Sequence, residues 1–403
     1  MLVAAMGLIE TLTPIQRGHL VLPLDDPRRQ DWDIIPRPEK TGLSLRDLSR
    51  SQRILVWDLL AAALPMRTFT QSTQVPQLEH VLRDYEADFL GRAVGAWRDP
   101  DNYYTTIFGR PGFEDTFAVR FYGHHLGINL TVIKERWITA GPSAMGQQPV
   151  VYDGTNKPLA DEEAAGFAII NALTDDKLAC ALIHPVSPAD FATRYVPRIG
   201  AVEYPDAIDL GMPQYRLTDK DRHACRLVRG RPAGIPGAEL DPAQQAHLLL
   251  IVDRFLERHP RPIAEKLQRD VRERGLDKVY FAWAGGTRPK TSHYFRVHTE
   301  RFLIELVNSV SSGDHIHSVL RDFANDLGGD LLAAHHPHPV PAELPGVADG
   351  NTRKISSADL DPGLASAPPE EVARAQEAGA GGAGVEGRSE RGDYTSWRSA
   401  GTA

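Results

Sequence analysis

The stretch TFAVRFYGHHLGINLTVI, residues 116–133, constrains the fold most strongly. Its apolar residues alternate with polar ones, the period of a β-strand with one buried face. The parity then changes midway. Phe117, Val119 and Phe121 are apolar at odd positions, whereas Leu126, Ile128, Leu130 and Val132 are apolar at even ones. A β-bulge at Gly123–His124 would restore one continuous apolar face and put Arg120, Tyr122, His125, Asn129 and Thr131 on the other. Two separate strands with a turn at Gly123 are the alternative.

Other extended runs surround this one. YYTTIFG precedes it, and residues 148–152 suggest a further short strand. VYFAWAGG, SHYFRVHT and RFLIELVN follow later, the last two as a hairpin. Helical signals lie between them. Ser49 and Gln52 have the form of a capping box ahead of an apolar stripe from Ile54 to Leu64. A second helix is expected over 75–90, and two more near 161–173 and 175–183. Asp241 and Pro242 open the clearest helix, which Pro260 ends. Another runs from about Ile263 to Arg274 and stops at Gly275. The expected fold is α+β, with a mostly antiparallel β-sheet core flanked by helices.

Residues 1–45 read as an irregular N-terminal segment, 46–338 as a single domain, and 341–403 as a disordered tail rich in Gly, Ala, Pro, Ser, Glu and Arg. Gly379, Gly381 and Gly384 match a dinucleotide-binding spacing. They lie in low-complexity sequence without a strand before or a helix after, so the match is rejected. The net charge of −8 offers no basic surface for nucleic acid. No run of apolar residues is long enough to span a membrane. The apolar start, MLVAAMGLIETL, lacks a basic leader and a cleavage site and is not read as a signal peptide. Two cysteines, Cys180 and Cys225, form no disulfide framework and fit a reducing compartment, so the expected location is cytoplasmic. The sequon Asn129-Leu130-Thr131 sits inside a strand pattern and is discounted.

Histidine carries the candidate chemistry. His315 and His317 project from one face of a strand, a spacing that lets two imidazoles reach one metal ion. His124 and His125 occupy the parity break. Glu305 is a carboxylate in a strand apolar on both sides. Such a charge is buried only when it is paired, to a cross-strand residue such as Arg296, or bound to metal. Tyr294 and Arg296 share a face of the preceding strand. Asp322, beside Arg321, could orient an imidazole or act as a base. His335, His336 and His338 read as charges favoured at a helix C-terminus.

At both histidine segments the chain resembles the family catalogued as domain of unknown function 3500. RFYGHHLGINLTVI and the run from HYFRVHTERFLIELVN to LLAAHH carry the resemblance, which spans roughly residues 45–338. The matching positions are His124, His125, Asn129, Tyr294, Arg296, Glu305, His315, His317, Arg321, Asp322, Asp326 and His335. Tyr122 stands where many members have Glu, Asp314 where they have Asn, and Leu327 where they have Phe. The resemblance implies no reaction.

The expectation is a mononuclear site for a divalent metal ion. Its ligands would be His315, His317 and one of His124 or His125, with Glu305 as a fourth. Arg296 or Arg321 would hold an anionic group of a small-molecule substrate, Tyr294 would join them as a catalytic residue, and Asp322 would orient an imidazole or act as the base. Iron or copper would support oxygen-dependent oxidation; zinc or manganese would support hydrolysis by an activated water. A non-catalytic metal- or ligand-binding protein and a metal-free acid–base network are the other readings.

Overall fold

The computed structural model describes residues 1–335 apart from 38, 91–97, 135, 153, 155–156, 200–217, 219–223 and 310–312. The expected tail over 341–403, His336 and His338 lie outside the described residues. The backbone forms one twelve-stranded sheet with helices against it. Its strands are β1 (Val21–Leu22), β2 (Leu43–Ser44), β3 (Tyr104–Gly109), β4 (Thr116–Gly123), β5 (Leu126–Ile133) and β6 (Trp137–Gln147), then β7 (Leu182–His184), β8 (Ile235–Pro236), β9 (Tyr280–Gly285), β10 (His293–His298), β11 (Phe302–Asn308) and β12 (Ile316–Asp322). The order is β1-β3-β4-β5-β6-β12-β11-β10-β9-β7, with β2 on β3 and β8 on β9. Among the described residues β1–β3 and β7–β9 run parallel and the other strand pairs are antiparallel.

Three readings of the sequence are corrected. Residues 1–45 are not irregular: they hold helices Leu2–Glu10 and Pro14–Leu20 and the first two strands. Thr13 and Gln16 form the capping box of the second helix. The parity break at Gly123 is a turn rather than a bulge. Gly123 registers with Leu126, so His124 and His125 are the two central residues of a β4–β5 hairpin. The bulge lies elsewhere, in β6 at Gly141–Pro142, where the β5 register shifts across Asn129. The strand itself is Trp137–Gln147, not 148–152.

The helices form as their caps dictate. Ser49 accepts from Gln52 N while Gln52 Oε1 accepts from Ser49 N, and Asp241 and Gln244 repeat this arrangement. Phe117, Val119, Phe121, Ile128, Ile304 and Leu306 turn one sheet face into the main core beneath these helices. The opposite face mixes polar side chains with smaller apolar clusters and is also buried. Segments 26–37 and 186–199 cover it, and Arg120 (1% exposed) donates to the main chain of Arg28, Arg29 and Asp31.

The chain folds as two equivalent halves. Each has two helices, a strand parallel to the edge, a short strand leading into a capped helix, a further helix and a four-stranded meander. Gly42 and Gly234 open the short strands with φ of +122° and +109°. An added Cβ would strike Thr105 O in one half and Phe281 O in the other. These are the strand partners of Leu43 and Ile235 respectively. Arg120 registers with Asn129 as Arg296 does with Glu305. The halves join where β6 pairs with β12.

Candidate metal centre

The β4–β5 turn is anchored at three points. Tyr103 Oη donates to His124 O at 2.6 Å, His125 N donates to Ile34 O at 2.9 Å, and Gly146 N donates to His125 O at 2.7 Å. His125 adopts φ +60°, the left-handed region, which L-residues reach at some cost. Across the junction of the halves, Gly146 in β6 registers with His317 in β12. The turn of one half therefore meets the last strand of the other.

Three imidazoles converge there. His125 Nε2 lies 2.7 Å from His315 Nε2, which lies 3.1 Å from His317 Nε2. Ring centroids of His125, His315 and His317 are 4.7, 4.8 and 5.1 Å apart, close to an equilateral triangle. The His124 ring lies against His125, with centroids 3.6 Å apart and the planes tilted by 31°. Ligand atoms of His124, His125 and His315 all fall within 4.8 Å of one another. A tetrahedral ion with ligand bonds of about 2.05 Å spaces its nitrogens about 3.3 Å apart; the two Nε2 separations at His315, 2.7 and 3.1 Å, lie somewhat below that.

Outer partners fix the rings. His317 Nδ1 lies 3.0 Å from Asp190 Oδ1, and Asp190 also accepts from Phe191 N and from Tyr195 Oη, each at 2.8 Å. Burial pushes the Asp190 carboxyl up, but His317 and the hydrogen bonds outweigh it and hold it below the usual range. His124 Nδ1 lies 2.6 Å from Glu79 Oε1, inside the helix Met66–Leu90. His315 N donates to Asn308 Oδ1 at 2.9 Å. Burial, then neighbouring cations and imidazoles, holds His124, His125 and His315 well below the ordinary histidine range. Neutral imidazoles are the form that ligates a metal.

The structure brings His124, His125, His315 and His317 together and leaves the other expected site residues in separate work. Glu305 is not among the clustered ligand atoms. It registers with Val319, two pairs beyond the Val307–His317 pair. Its carboxylate accepts from Ala192 N (2.7 Å), Thr193 N (3.3 Å), Thr193 Oγ1 and Tyr294 Oη (3.0 Å), which occupies its acceptor capacity. Tyr294 is thereby a buried partner of Glu305. Arg296 faces Glu305 in register but donates to Cys225 O. Arg321 donates to Asp326 at 2.6 Å and to Val196 O at 2.8 Å, fully buried. Asp322 accepts from Ala324 N and Asn325 N and holds a turn. Both arginines are buried on protein oxygens, and among the described residues Asp322 makes no hydrogen bond to an imidazole. Asn129 is buried between Arg120 and Pro142 O, so its sequon is closed. Cys180 and Cys225 are both free thiols.

Asp190, Glu79, Arg98 and Gly146 were not foreseen. Glu79 carried a signal: it shares the buried helical stripe of Val75, Leu78 and Leu82, where a carboxylate needs a partner. Asp190 lies in a Pro- and Gly-rich crossing with no periodicity to read.

Fold and site together define an α+β protein, built from two like halves, with a partly buried polyhistidine cluster at their junction. No curated protein and no solved structure matches the chain. A family model described as protein of unknown function (DUF3500) matches residues 1–329, and the chain belongs to that family. Among the described residues no helix is long and apolar enough to cross a membrane.

Proposed function

We propose that the chain is a metal-dependent enzyme acting on a small molecule at a mononuclear centre held by His125, His315 and His317, with His124 beside it. The convergence of three Nε2 atoms carries this reading, with Asp190 on the far nitrogen of His317. A carboxylate in that position fixes the tautomer and raises the basicity of the ligating nitrogen. Iron or copper would supply electron transfer with dioxygen, and zinc or manganese would supply Lewis acidity toward water. Three nitrogen donors on a sheet favour the oxidative chemistry, an argument by analogy; hydrolysis is the alternative. The protein's own residues hold the rings, favour the neutral form of His124, His125 and His315, and leave His315 and His317 partly open to solvent.

A second reading draws on the same distances. Asp190, His317, His315 and His125 form a continuous line of contacts that could pass a proton without a metal. Elemental analysis of untagged protein separates the two, with His315→Ala/His317→Ala beside it. Near-stoichiometric metal absent from the double variant supports the metalloenzyme; iron or copper favours oxidation and zinc favours hydrolysis. No retained metal after reconstitution with iron, copper, zinc and manganese would leave the proton line.

A further inference from the structure

We propose that Asn308 and Glu163 are positioning residues for the metal centre, and that together they set one of its ligands, His315. The inference rests on the metal reading above. His317 is fixed through its far nitrogen by Asp190, and His125 through main-chain bonds on its own N–H and carbonyl. His315 is fixed differently. Among the described residues its ring makes polar contacts through Nε2 alone, to His125 and His317. Its place is therefore decided by its main chain, where its N–H donates to Asn308 Oδ1 at 2.9 Å.

Asn308 ends β11 and is fully buried. Its amide works from both ends. Oδ1 accepts from His315 N, while Nδ2 donates to Gly313 O at 2.9 Å and to Glu163 Oε1 at 2.7 Å. A flipped amide would set its N–H groups against the His315 N–H and its oxygen against two acceptors, so these bonds define its orientation. Between the two anchored residues, Asp314 Oδ1 accepts from Val150 N at 2.8 Å. The entry to β12 is thus pinned at three successive residues. Ile316 then registers with Asn308 itself, and strand alternation puts His315 and His317 on one face.

Glu163 holds the amide from behind. It stands in the first turn of the helix Ala160–Ile170, with its side chain 16% exposed. The same Oε1 lies 3.2 Å from His293 Nε2, and the His293 ring stacks on Trp283 with the planes 6° apart. A Cβ on Gly166 of this helix would stand 2.7 Å from the Phe295 ring, so the helix is seated closely on β10. Glu163 is therefore a fixed acceptor, and its charge strengthens the bond from Asn308. Both residues act on the centre through the main chain at His315.

The test uses the full chain loaded with cobalt(II), whose visible bands report the ligand field, with Kd taken from chelator competition. Asn308→Asp keeps the acceptor for His315 N but turns an oxygen toward Glu163 and Gly313 O. Its cobalt Kd should rise about tenfold or more, with altered visible bands. Glu163→Gln added to it supplies an amide N–H to that oxygen, so the double variant should regain about half of the lost affinity on a logarithmic scale. Glu163→Leu, which leaves the buried amide in place, should raise the Kd about threefold or more and shift the same bands. Thermal melting of each metal-free form is recorded beside these. A purely structural role predicts lower melting temperatures with wild-type bands and no recovery in the double variant. That result, or wild-type Kd and bands in Asn308→Asp, would overturn the inference and leave the metal reading standing. Where Asn308→Asp does not fold, Glu163→Leu decides by the same criteria. Failure of wild type to take up cobalt would overturn both readings.

Discussion

Replacing Gly146 by alanine tests whether the gap beside His125 is what admits its imidazole. A Cβ at Gly146 would stand 2.8 Å from His125 Cδ2, 3.0 Å from His125 Cγ and 2.8 Å from Ile316 O. Carbon contacts settle near 3.5–4.0 Å, so the ring must retreat by roughly 0.7 Å. The backbone has little freedom to give way. Gly146 N is bonded to His125 O, and Gly146 is in register with His317. Site geometry tolerates displacements of about 0.5 Å, so this shift should disable one ligand. Overpacking at such a position costs about 1–3 kcal/mol. Gly146→Ala should therefore lose about that much stability in urea unfolding of the metal-free protein. Metal affinity should fall about 10–100-fold in competition with a chromogenic chelator, a loss comparable to that for removing an outer partner of a ligand. Wild-type affinity in the variant, or a crystal structure with His125 unmoved, would refute the reasoning.

Three further outcomes follow from the same contacts. Asp190→Asn should weaken metal binding about 10–100-fold with little change in thermal stability, because it removes the charge on His317 Nδ1 and keeps the shape; equal affinity by chelator competition would exclude the pairing. Glu305→Ala should cost about 2–4 kcal/mol in urea unfolding and leave metal content intact, since it orphans the Ala192, Thr193 and Tyr294 donors rather than a ligand; metal loss in a still-folded variant would restore Glu305 as a ligand. Burial lowers His259 from 6.5 to about 4. Between those values the unfolded chain binds the extra proton, so stability should rise with pH, by about 3 kcal/mol from pH 4 to 6.5. His259→Leu should flatten that part of the pH–stability curve in urea titrations, and an unchanged slope would dismiss the assignment.

Much of the fold was legible because its signals are local. The capping residues at Ser49 and Asp241 and the alternating strands need only neighbours in sequence to be read. The parity break misled for a geometric reason. In a two-residue hairpin an odd residue faces an even one, as Phe117 faces Val132 and Phe121 faces Ile128. A turn therefore mimics a bulge in the pattern of apolar residues. Strand β6 was hidden by Gly141 and Pro142, since proline argues against a central strand, yet here it marks the bulge. The four histidines were legible as residues, and strand parity gave their face. Parity says nothing of position along the strand. That is why Glu305, on the face of His317 but two pairs further on, was wrongly joined to them. Asp190 and Glu79 reach the rings from distant segments, a relation that only the tertiary fold creates.

The two halves explain why there is a single centre. By strand register, the turn His124–His125 corresponds to Glu300–Arg301, because Gly123 pairs with Leu126 as Thr299 bonds to Phe302. His317, partner of Val307, corresponds to Thr139, partner of Thr131. Met145, partner of Leu126, corresponds to Asp322, partner of Phe302, so the residue after each sets Gly146 against Phe323. The counterpart corner thus has no histidine at the matching positions and lacks the gap that admits one: Phe323, buried and packed on His298, stands where the glycine is. It lacks the left-handed turn residue too, since His125 has φ +60° and Arg301 does not share it. Histidine chemistry at that corner is blocked by packing as well as by composition. Trp137→His, Thr139→His and Arg301→His introduced together, with Phe323 kept, should therefore leave metal stoichiometry at the wild-type value. A second bound equivalent in that triple variant would show that the side chains alone suffice, and that Gly146 is not what makes the native site.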